Sequence, residues 1–471
     1  MRIVAIDQGT TSTRALLFES GAAPQLVASI RHRQVYPHQG WVEHDPAELL
    51  ANVKECLEAA TRADAIGLAN QGESCLAWDS VTLEPLSPVI VWQDQRTAAH
   101  IERLKIDGLT AEVAARTGLP LDSYFSASKL AWIIQNKPAA RAALRAGRLR
   151  LGTTDSFLIE NLTGVYATDP STASRTSLMD LRTLSWDPTL CEAFGVPIEL
   201  LAPIRATAGN FGHFRGIPIT ASIVDQQAAL FGHGCTRQGD AKVTFGTGAF
   251  AQVMTGDSPI AIEGTGLIAT VAWQSSAGTR YALEGGTYDA GAALEWASRI
   301  GLLGDISDLQ SLCPPSALEQ GLIFVPALSG LACPQWNRRA RGVWSGLSIA
   351  TTRRELQQSV LEGIALQTQE VVATMEAAIP MSGCLSVDGG LTMNPYFLQF
   401  LADVTDKRIA RKAMIEITAY GCALLAGLDA GTPTLDTPDP QLGYERSISA
   451  DQRLNFLKCY RAATRVAVSL S

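Results

Sequence analysis

The sequence offers nothing with which to pair its cysteines. There are nine, at irregular spacings (Cys56, Cys75, Cys191, Cys235, Cys313, Cys333, Cys384, Cys422 and Cys459), and none forms a C-x-x-C pair. They read as reduced, mostly buried thiols of a cytoplasmic protein. The six histidines are also scattered, and nothing resembles a zinc site. There is no Gly-Lys dipeptide, which rules out the P-loop motif. No uncharged apolar run reaches the roughly 18 residues a spanning helix needs. Asp7 interrupts the short apolar run at the N-terminus and no small-residue cleavage site follows it, so a secretory signal is not expected. Basic residues are outnumbered, 38 Lys and Arg against 46 Asp and Glu, for a formal net charge of −8. That balance excludes a general binder of nucleic acids or anionic membranes. A polyanionic ligand would have to be met by local donors and a cation.

What is present is the composition of a well-packed protein, 46% hydrophobic and 18% charged. At 471 residues the chain exceeds one core of ordinary size, so two domains are expected, with three as the alternative. The stretch Ile3–Phe18 organises the first of them. Ile3–Ile6 and Ala15–Phe18 read as buried strands, and between them lie one carboxylate (Asp7), one glycine (Gly9), the hydroxyls of Thr10, Thr11, Ser12 and Thr13, and the Arg14 guanidinium. Such a turn offers donors to phosphate oxygens, with Asp7 placed to accept from a hydrated metal ion. It also fits an ordinary polar hairpin.

Further along, Asp45 is expected to cap a helix beginning at Pro46, with Glu48 completing a capping box. Strands are expected at Ala65–Ala69, ending in Asn70–Ser74, and at Val89–Trp92, ending in Gln93–Arg96. Leu130, Ile133 and Ile134 stand at helical spacing behind Ser126. The polar region Gly152–Pro188 is expected to cover a domain face as loops and short elements. Ile217–Val224 reads as a strand delivering Asp225, Gln226 and Gln227 to its end. A composition change near Gly232–Gly239 marks the domain boundary, giving residues 1–234 and 235–471. Just beyond it, Ala241–Phe245, Gly246-Thr247-Gly248 and Phe250–Met254 repeat the strand, glycine-threonine turn, strand grammar of the opening stretch, which suggests a duplicated architecture. Gly285–Trp296 reads as a glycine-rich entry into a helix, and residues 354–377 as a long helix in which Gly363 hints at close packing. Leu385–Val387, Asp388-Gly389-Gly390 and a helix capped by Asn394 give a strand, glycine turn and helix N-terminus suited to a nucleotide. Residues 432–449 are expected to form a surface excursion before a last helix.

Gly246–Ala251 and Gly264–Ala269 both fit the loose dinucleotide fingerprint, but neither lies in an evident strand–helix–strand unit with an acidic residue at the right offset, so hydride chemistry is not expected. A hydroxyl kinase needs donors and a cation around the phosphates, a carboxylate to take a proton, and closure against water, and the chain supplies candidates for each.

The segments Asp7–Ser12, Gly40–Pro46, Val91–Asp94, Ser174-Arg175-Thr176, Asp225–Phe231, Gly246–Gly248 and Asp388–Gly390, with Tyr124–Asn136 and Gly342–Glu362, resemble the motifs of the FGGY carbohydrate kinases, most closely the glycerol kinases, over nearly the whole chain. The resemblance implies an α/β fold of two actin-like, ribonuclease H-like ATPase domains, each a five-stranded mixed sheet flanked by helices, closing on a central cleft. It implies Asp225 as general base, with Glu73, Tyr124 and Gln226 on the substrate hydroxyls and Trp92 and Phe250 as apolar walls. Thr10, Thr11, Ser12 and Arg14 are implied to hold the phosphates of ATP, Asp7 and Asp225 the Mg2+ ion, and Thr247, Gly291, Gly390 and Asn394 the nucleotide from the second domain. Trp92, Tyr124 and Phe250 fit a packing role as well. A small polyol or sugar is the expected partner, with no nucleic acid and no membrane, in a cytoplasmic homo-oligomer, a dimer.

Two positions depart from the pattern. Gly72 stands where glycerol kinases carry an arginine that donates to the polyol, which removes discrimination and leaves room. The acceptor is then either glycerol or a longer polyol or ketose. Glu295 replaces a glutamine near the nucleotide, an added negative charge that weakens ATP binding unless it is paired or faces solvent. Two other classes compete: a non-catalytic actin-like nucleotide switch, which would not need Glu73, Gln226 or the aromatic walls, and a sugar sensor without phosphoryl transfer, against which Asp7, Asp225 and both glycine turns argue.

Overall fold

The computed structural model describes residues 1–60, 63–260, 263–304, 309, 312–412, 414, 416–428 and 442–470. Its frame is one sheet pattern used twice. In the first half, β1 (Arg2–Gln8) pairs antiparallel with β2 (Ser12–Glu19), which pairs antiparallel with β3 (Gln25–Arg31). On its other side β1 runs parallel to β4 (Ala65–Asn70), and β4 parallel to β5 (Ile217–Val224). In the second half β6 (Ala241–Phe245), β7 (Ala249–Gly256), β8 (Gly278–Thr287), β9 (Cys384–Gly389) and β10 (Arg408–Arg411) repeat that order and those directions. The duplication expected from the two hairpins is therefore real. The sheets are wider than the five strands implied: His213–Phe214 extends the first to six, and Ile268–Ser275 and Leu442–Tyr444 extend the second to seven.

Both faces of the first sheet are covered, which is why its central strands read as unbroken apolar runs. Val4, Ile6 and Ala15 face α1 (Pro46–Ala59) through Leu49, Val53 and Cys56, while Ile3, Ala5 and Leu16 face α8 (Ile417–Leu428) through Cys422 and its neighbours. Asp45 caps α1 by accepting from Ala47 N, but Glu48 completes no capping box; its carboxylate lies 3.5 Å from Arg33 instead. Helix α8 comes from the second half of the chain yet packs on the first sheet and against α4 (Asp225–Gly232), the helix that begins with Asp225. The two helices cross so tightly that a Cβ at Gly421 would overlap Ala228 O and lie 2.7 Å from Gly232 N.

A small four-stranded sheet (Glu43–His44, Val89–Ile90, Cys75–Asp79 and Leu149–Thr153) is set into the first half, with α2 (Ser126–Asn136) packed on it. The strand expected at Val89–Trp92 is limited to its first two residues. The region 152–188 is not the surface cover its polarity suggested. It contains the ten-residue α3 (Thr154–Thr163), and Thr153, Asp155, Ser156, Asp169, Thr172 and Arg175 are all buried. Their polarity is used internally: Asp155 accepts from Thr153 and Thr168, and Asp169 from Ser171 N, Thr172 N and Thr207. Gly285 and Gly286, expected at a helix entry, belong to β8, and the helix α5 starts at Gly291 and runs to Arg299.

The long helix α6 (Arg353–Ala378) opens with a full capping box between Thr352 and Glu355, and Gly363 is where it touches the Phe324 carbonyl. Asn394 caps α7 (Pro395–Thr405), and α9 (Ala450–Ser469) closes the chain. Of the expected excursion at 432–449, residues 432–441 lie outside the described residues, and Leu442–Tyr444 is an edge strand. All nine cysteines are free and six are buried. Among the described residues no helix is long and apolar enough to cross a membrane.

The crossing of α4 and α8 yields a stability prediction. Gly421→Ala should cost about 3 kcal/mol or more, since backbone must move to admit the methyl group. Gly383→Ala, with nothing within 4 Å of the added Cβ, should stay within about 0.5 kcal/mol of the parent in the same urea titration.

Candidate active site

The two sheets present the C-terminal ends of their central strands to a shared cleft, with a cavity of about 150 Å³ at its floor. Of the residues singled out from sequence, Thr10, Glu73, Trp92, Tyr124, Asp225, Gln226, Thr247 and Phe250 line it. Each arrives by a local device. Glu73 sits at the corner where the chain leaves β4 for the small sheet and is held at φ 60°, a left-handed conformation that costs a non-glycine residue free energy. Trp92 follows the short strand Val89–Ile90 and donates through Nε1 to Thr10 Oγ1 at 3.1 Å. Tyr124 precedes α2, and the buried Lys129 of that helix donates to the carbonyls of Trp92 (3.2 Å) and Tyr124 (2.8 Å), fixing the two aromatic residues together. Phe250 comes from β7 in the second half and meets Trp92 edge-on at 6.3 Å. Its ring lies over Gly286, where any Cβ would come within 3.0 Å of it.

Asp225 is the first residue of α4, at the end of β5, and its carboxylate accepts from Gln226 N at 2.6 Å. Burial pushes it up to about 7, and the negative charge of Asp7 adds to that shift. Asp7, on the neighbouring β1, is raised to about 6 by burial, against the opposing pull of Arg14. A buried carboxylate in a cavity wall whose proton affinity is raised by burial and by a neighbouring carboxylate is a common mark of acid–base and cation sites. Neither Asp7 nor Asp225 forms a salt bridge among the described residues. Arg14 is instead engaged by Glu416, at 2.7 and 2.9 Å, so the guanidinium expected on phosphate is already paired with a carboxylate.

The remaining phosphate-hairpin residues do not line the cavity. Thr11 is exposed and Ser12 half-buried, and His32 holds the turn by contacting the Thr10 carbonyl at 2.9 Å. Across the cleft, Gly291 N donates to Gly246 O, and Ala290 N and Ala292 N to Thr247 O, each at 3.0 Å, which seats α5 against the glycine turn. Gly390 follows Gly389, which pairs with Phe245 in the register of β6 and β9, so it borders the same turn with open space around it. Asn394 is different: its Oδ1 accepts from Phe397 N and its Nδ2 donates to Leu309 O, both at 2.9 Å, so both polar ends are spent inside the protein. Glu295 is exposed and faces solvent.

Three charged residues in or directly behind the cavity wall have no role assigned from sequence. Arg175 donates to Glu73 (2.5 Å) and to Glu284 (2.7 Å), and Glu284 also accepts from Gln252 at 2.9 Å. One guanidinium thus serves two buried carboxylates, and burial leaves Glu73 raised to about 7 even beside Arg175. Lys242, fully buried in β6, donates to Gln226 Oε1 at 2.6 Å and to Thr244 Oγ1 at 2.9 Å. Burial lowers the proton affinity of this amine, while Asp388, Glu284 and Asp225 raise it. A signal for two of the three was present: Lys242 in AKVTF and Glu284 in YALEGG are lone charges inside apolar strands. Asp388, near the end of β9, is engaged by His233 (2.6 Å) and Thr244 (3.1 Å).

A doubled α/β frame with a cleft between its halves, carboxylates on one wall and glycine turns on both, defines a two-domain kinase. The model of the FGGY family of carbohydrate kinases, N-terminal domain, matches residues 2–232, and that of its C-terminal domain matches residues 241–430. A glycerol kinase of Burkholderia ambifaria is 41% identical over 447 residues, covering 91% of this chain and 89% of that protein. The crystal structure of Plasmodium falciparum glycerol kinase with ADP superposes with a TM-score of 0.90 at 32% identity, over 99% of this chain and 98% of that one. A ligand-bound xylulose kinase from Lactobacillus acidophilus shares the fold, with a TM-score of 0.87 at 20% identity over 100% of this chain and 98% of that one. The chain belongs to the FGGY family of carbohydrate kinases and is an ATP-dependent kinase.

Lys242 provides the test of this geometry. Lys242→Met should release Gln226, raising the acceptor KM about tenfold, the effect of losing one charge-assisted hydrogen bond. It should also move the acid limb of kcat/KM to higher pH, because the Lys242 charge lowers the proton affinity of Asp225. Initial rates over a pH series read both.

Proposed function

We propose that the protein transfers the γ-phosphoryl group of ATP to a hydroxyl of a small polyol or sugar, with Asp225 as the general base. The observation that carries this reading is the placement of Asp225 on the wall of a cavity that also holds Glu73, Gln226 and three aromatic rings. In this scheme Glu73, Tyr124 and Gln226 bind acceptor hydroxyls, and Trp92 and Phe250 pack on its carbon chain. Asp225 takes the hydroxyl proton as the oxygen attacks the γ-phosphorus and ADP departs. Thr10, Thr11 and Ser12 face the phosphates from the first domain (1–234), and Thr247, Gly291 and Gly390 hold the nucleotide from the second (235–471). The actin-like switch reading is less well supported, because the polar groups and aromatic walls of this cavity suit a small hydroxylated molecule.

Asp7 and Asp225 suit Mg2+. Asp7 has no hydrogen-bond donor on its carboxylate among the described residues and Asp225 has one, and no group of three or more His, Cys, Asp or Glu side chains gathers anywhere among those residues. Mg2+ keeps its waters and takes only one or two carboxylates together with substrate phosphates. When bound, the ion would neutralise charge on the β- and γ-phosphate oxygens. The free, mostly buried thiols fit a cytoplasmic setting. A homodimer is expected, and light scattering that returned the 50.2 kDa mass of one chain would overturn it.

Coupled-enzyme measurement of ADP release over polyols and ketoses tests the reaction. One of them should stimulate turnover, and Asp225→Asn should reduce kcat about 10³-fold. ATPase activity that ignores every acceptor would favour a switch instead. In the parent, kcat/KM should rise with pH through a midpoint near 7, because only the ionised Asp225 accepts a proton. The stability effect has the opposite sign. A carboxyl raised from 3.8 to about 7 holds its proton more tightly folded than unfolded, so stability falls as pH climbs between those values. Asp225→Asn should therefore raise Tm at pH 8 and leave it nearly unchanged at pH 4.

A further inference from the structure

Thr10 is held from both sides by groups that reach it from different parts of the first half. Its hydroxyl accepts from Trp92 Nε1 at 3.1 Å, and its carbonyl accepts from His32 Nε2 at 2.9 Å. A carbonyl has no proton to give, so Nε2 of His32 carries it. The His32 backbone adds a further tie to the turn, donating to Thr11 O at 3.2 Å. His32 follows β3 directly, is 8% exposed and stands outside the cavity wall.

Behind the turn the two ties are joined. The His32 ring meets that of His44 edge-on, with centroids 4.9 Å apart. His44 is buried, and its Nδ1 accepts from Gln71 Nε2 at 3.3 Å. Gln8 sets the orientation of that amide: Gln8 Nε2 donates to Gly9 O at 2.8 Å, which leaves Gln8 Oε1 to face Gln71 Nε2 at 3.4 Å. Gln71 Oε1 in turn accepts from Ser74 Oγ, and Ser74 Oγ from Trp92 N, both at 3.2 Å. Thr10, His32, His44, Gln71, Ser74 and Trp92 thus close a circuit, of which Thr10, Gln71 and Trp92 line the cavity. The second nitrogens, His32 Nδ1 and His44 Nε2, are buried without a partner, and burial lowers the proton affinity of both imidazoles, that of His44 to about 3. A neutral ring adds no charge beside the turn, so what His32 contributes there is position.

We propose, resting on the kinase reading above, that His32 is a positioning residue of the reaction: through Thr10 it fixes the turn assigned to the phosphates, and through His44, Gln71 and Ser74 it ties that turn to Trp92 on the acceptor wall. Turn and wall then keep one geometry. Misplacing groups in such a site by about 1 Å can cost roughly 100-fold in rate.

The test is calorimetric titration with Mg2+ and the β,γ-imido analogue of ATP, which needs neither acceptor nor turnover. His32→Asn, whose amide is too short to reach the Thr10 carbonyl, should weaken binding about tenfold. His32→Gln, whose amide reaches the place of Nε2, should bind within about twofold of the parent. Trp92→Phe removes the other tie, keeps an aromatic wall and should also weaken binding about tenfold. Losing either tie frees the same turn, so His32→Asn combined with Trp92→Phe should weaken binding about twentyfold, against the roughly hundredfold of two independent losses. A thermal melt shows whether each variant is folded; should His32→Asn not be, His32→Leu, which has no donor, takes its place. Unchanged binding in the folded variant without the donor, an equal loss in His32→Gln, or a hundredfold loss in the pair overturns the proposal and leaves the kinase reading standing. Failure of every polyol and ketose to stimulate ADP release from the parent overturns both.

Discussion

The buried guanidinium of Arg175 is the contact on which the cleft depends. It comes from the first half of the chain, donates to Glu73 there, and reaches Glu284 on β8 of the second half. Taking three charges out of water costs several kcal/mol for each ion, and removing one partner from such a set costs about 3–5 kcal/mol because it strands the others. The network is therefore a poor source of net stability and a strong source of geometry. It sets Glu73 against β8 of the second half, so the two walls of the cavity keep a fixed relation at the base of the cleft.

Around that point the protein uses one topology for two tasks. The β1–β2 and β6–β7 hairpins are equivalent in order and direction, and both present a glycine-containing turn to the cleft. The asymmetry comes from what each half adds. The first carries the small sheet, which delivers Glu73 and Trp92 and supports Tyr124 through Lys129. The second carries α5 packed against the Gly246–Gly248 turn, together with the Gly389-Gly390 turn at the end of β9. A repeated frame with unequal insertions thus gives the two walls of the cleft different chemistry. Helix α8 binds the halves together by crossing from the second part of the chain to the first sheet and packing on the helix that begins with Asp225.

The carboxylates of the site are kept where they do not fold best. Asp7, Glu73 and Asp225 all have raised proton affinities, with burial the largest cause in each case. That arrangement costs stability near neutral pH and leaves Asp225 close to the range in which a general base works well. Glu73 adds backbone strain at a positive φ in the cavity wall.

Much of this was legible in the residue order. Apolar runs buried on both faces marked β1, β4, β5 and β6, and the repeated hairpin grammar announced the duplication, because burial and turn formation are local consequences of side-chain type. Ordered motifs singled out Asp225, Gln226, Glu73 and the aromatic residues, and the fold brings them to one cavity. What stayed hidden depended on partners remote in sequence. The segment 152–188 read as surface because its polar groups are satisfied only by folding onto one another, and Arg175 within it finds Glu284 more than a hundred residues away. Lys242 and Asp388 gained their meanings from neighbours supplied by other strands, and Arg14 was drawn to Glu416 from the far end of the chain. Sequence alone determined the elements and the chemical inventory, since both follow from local periodicity and residue type. Only the tertiary structure decided which charges are paired with which, because pairing is a property of distance and burial, and neither exists until the chain has closed on itself.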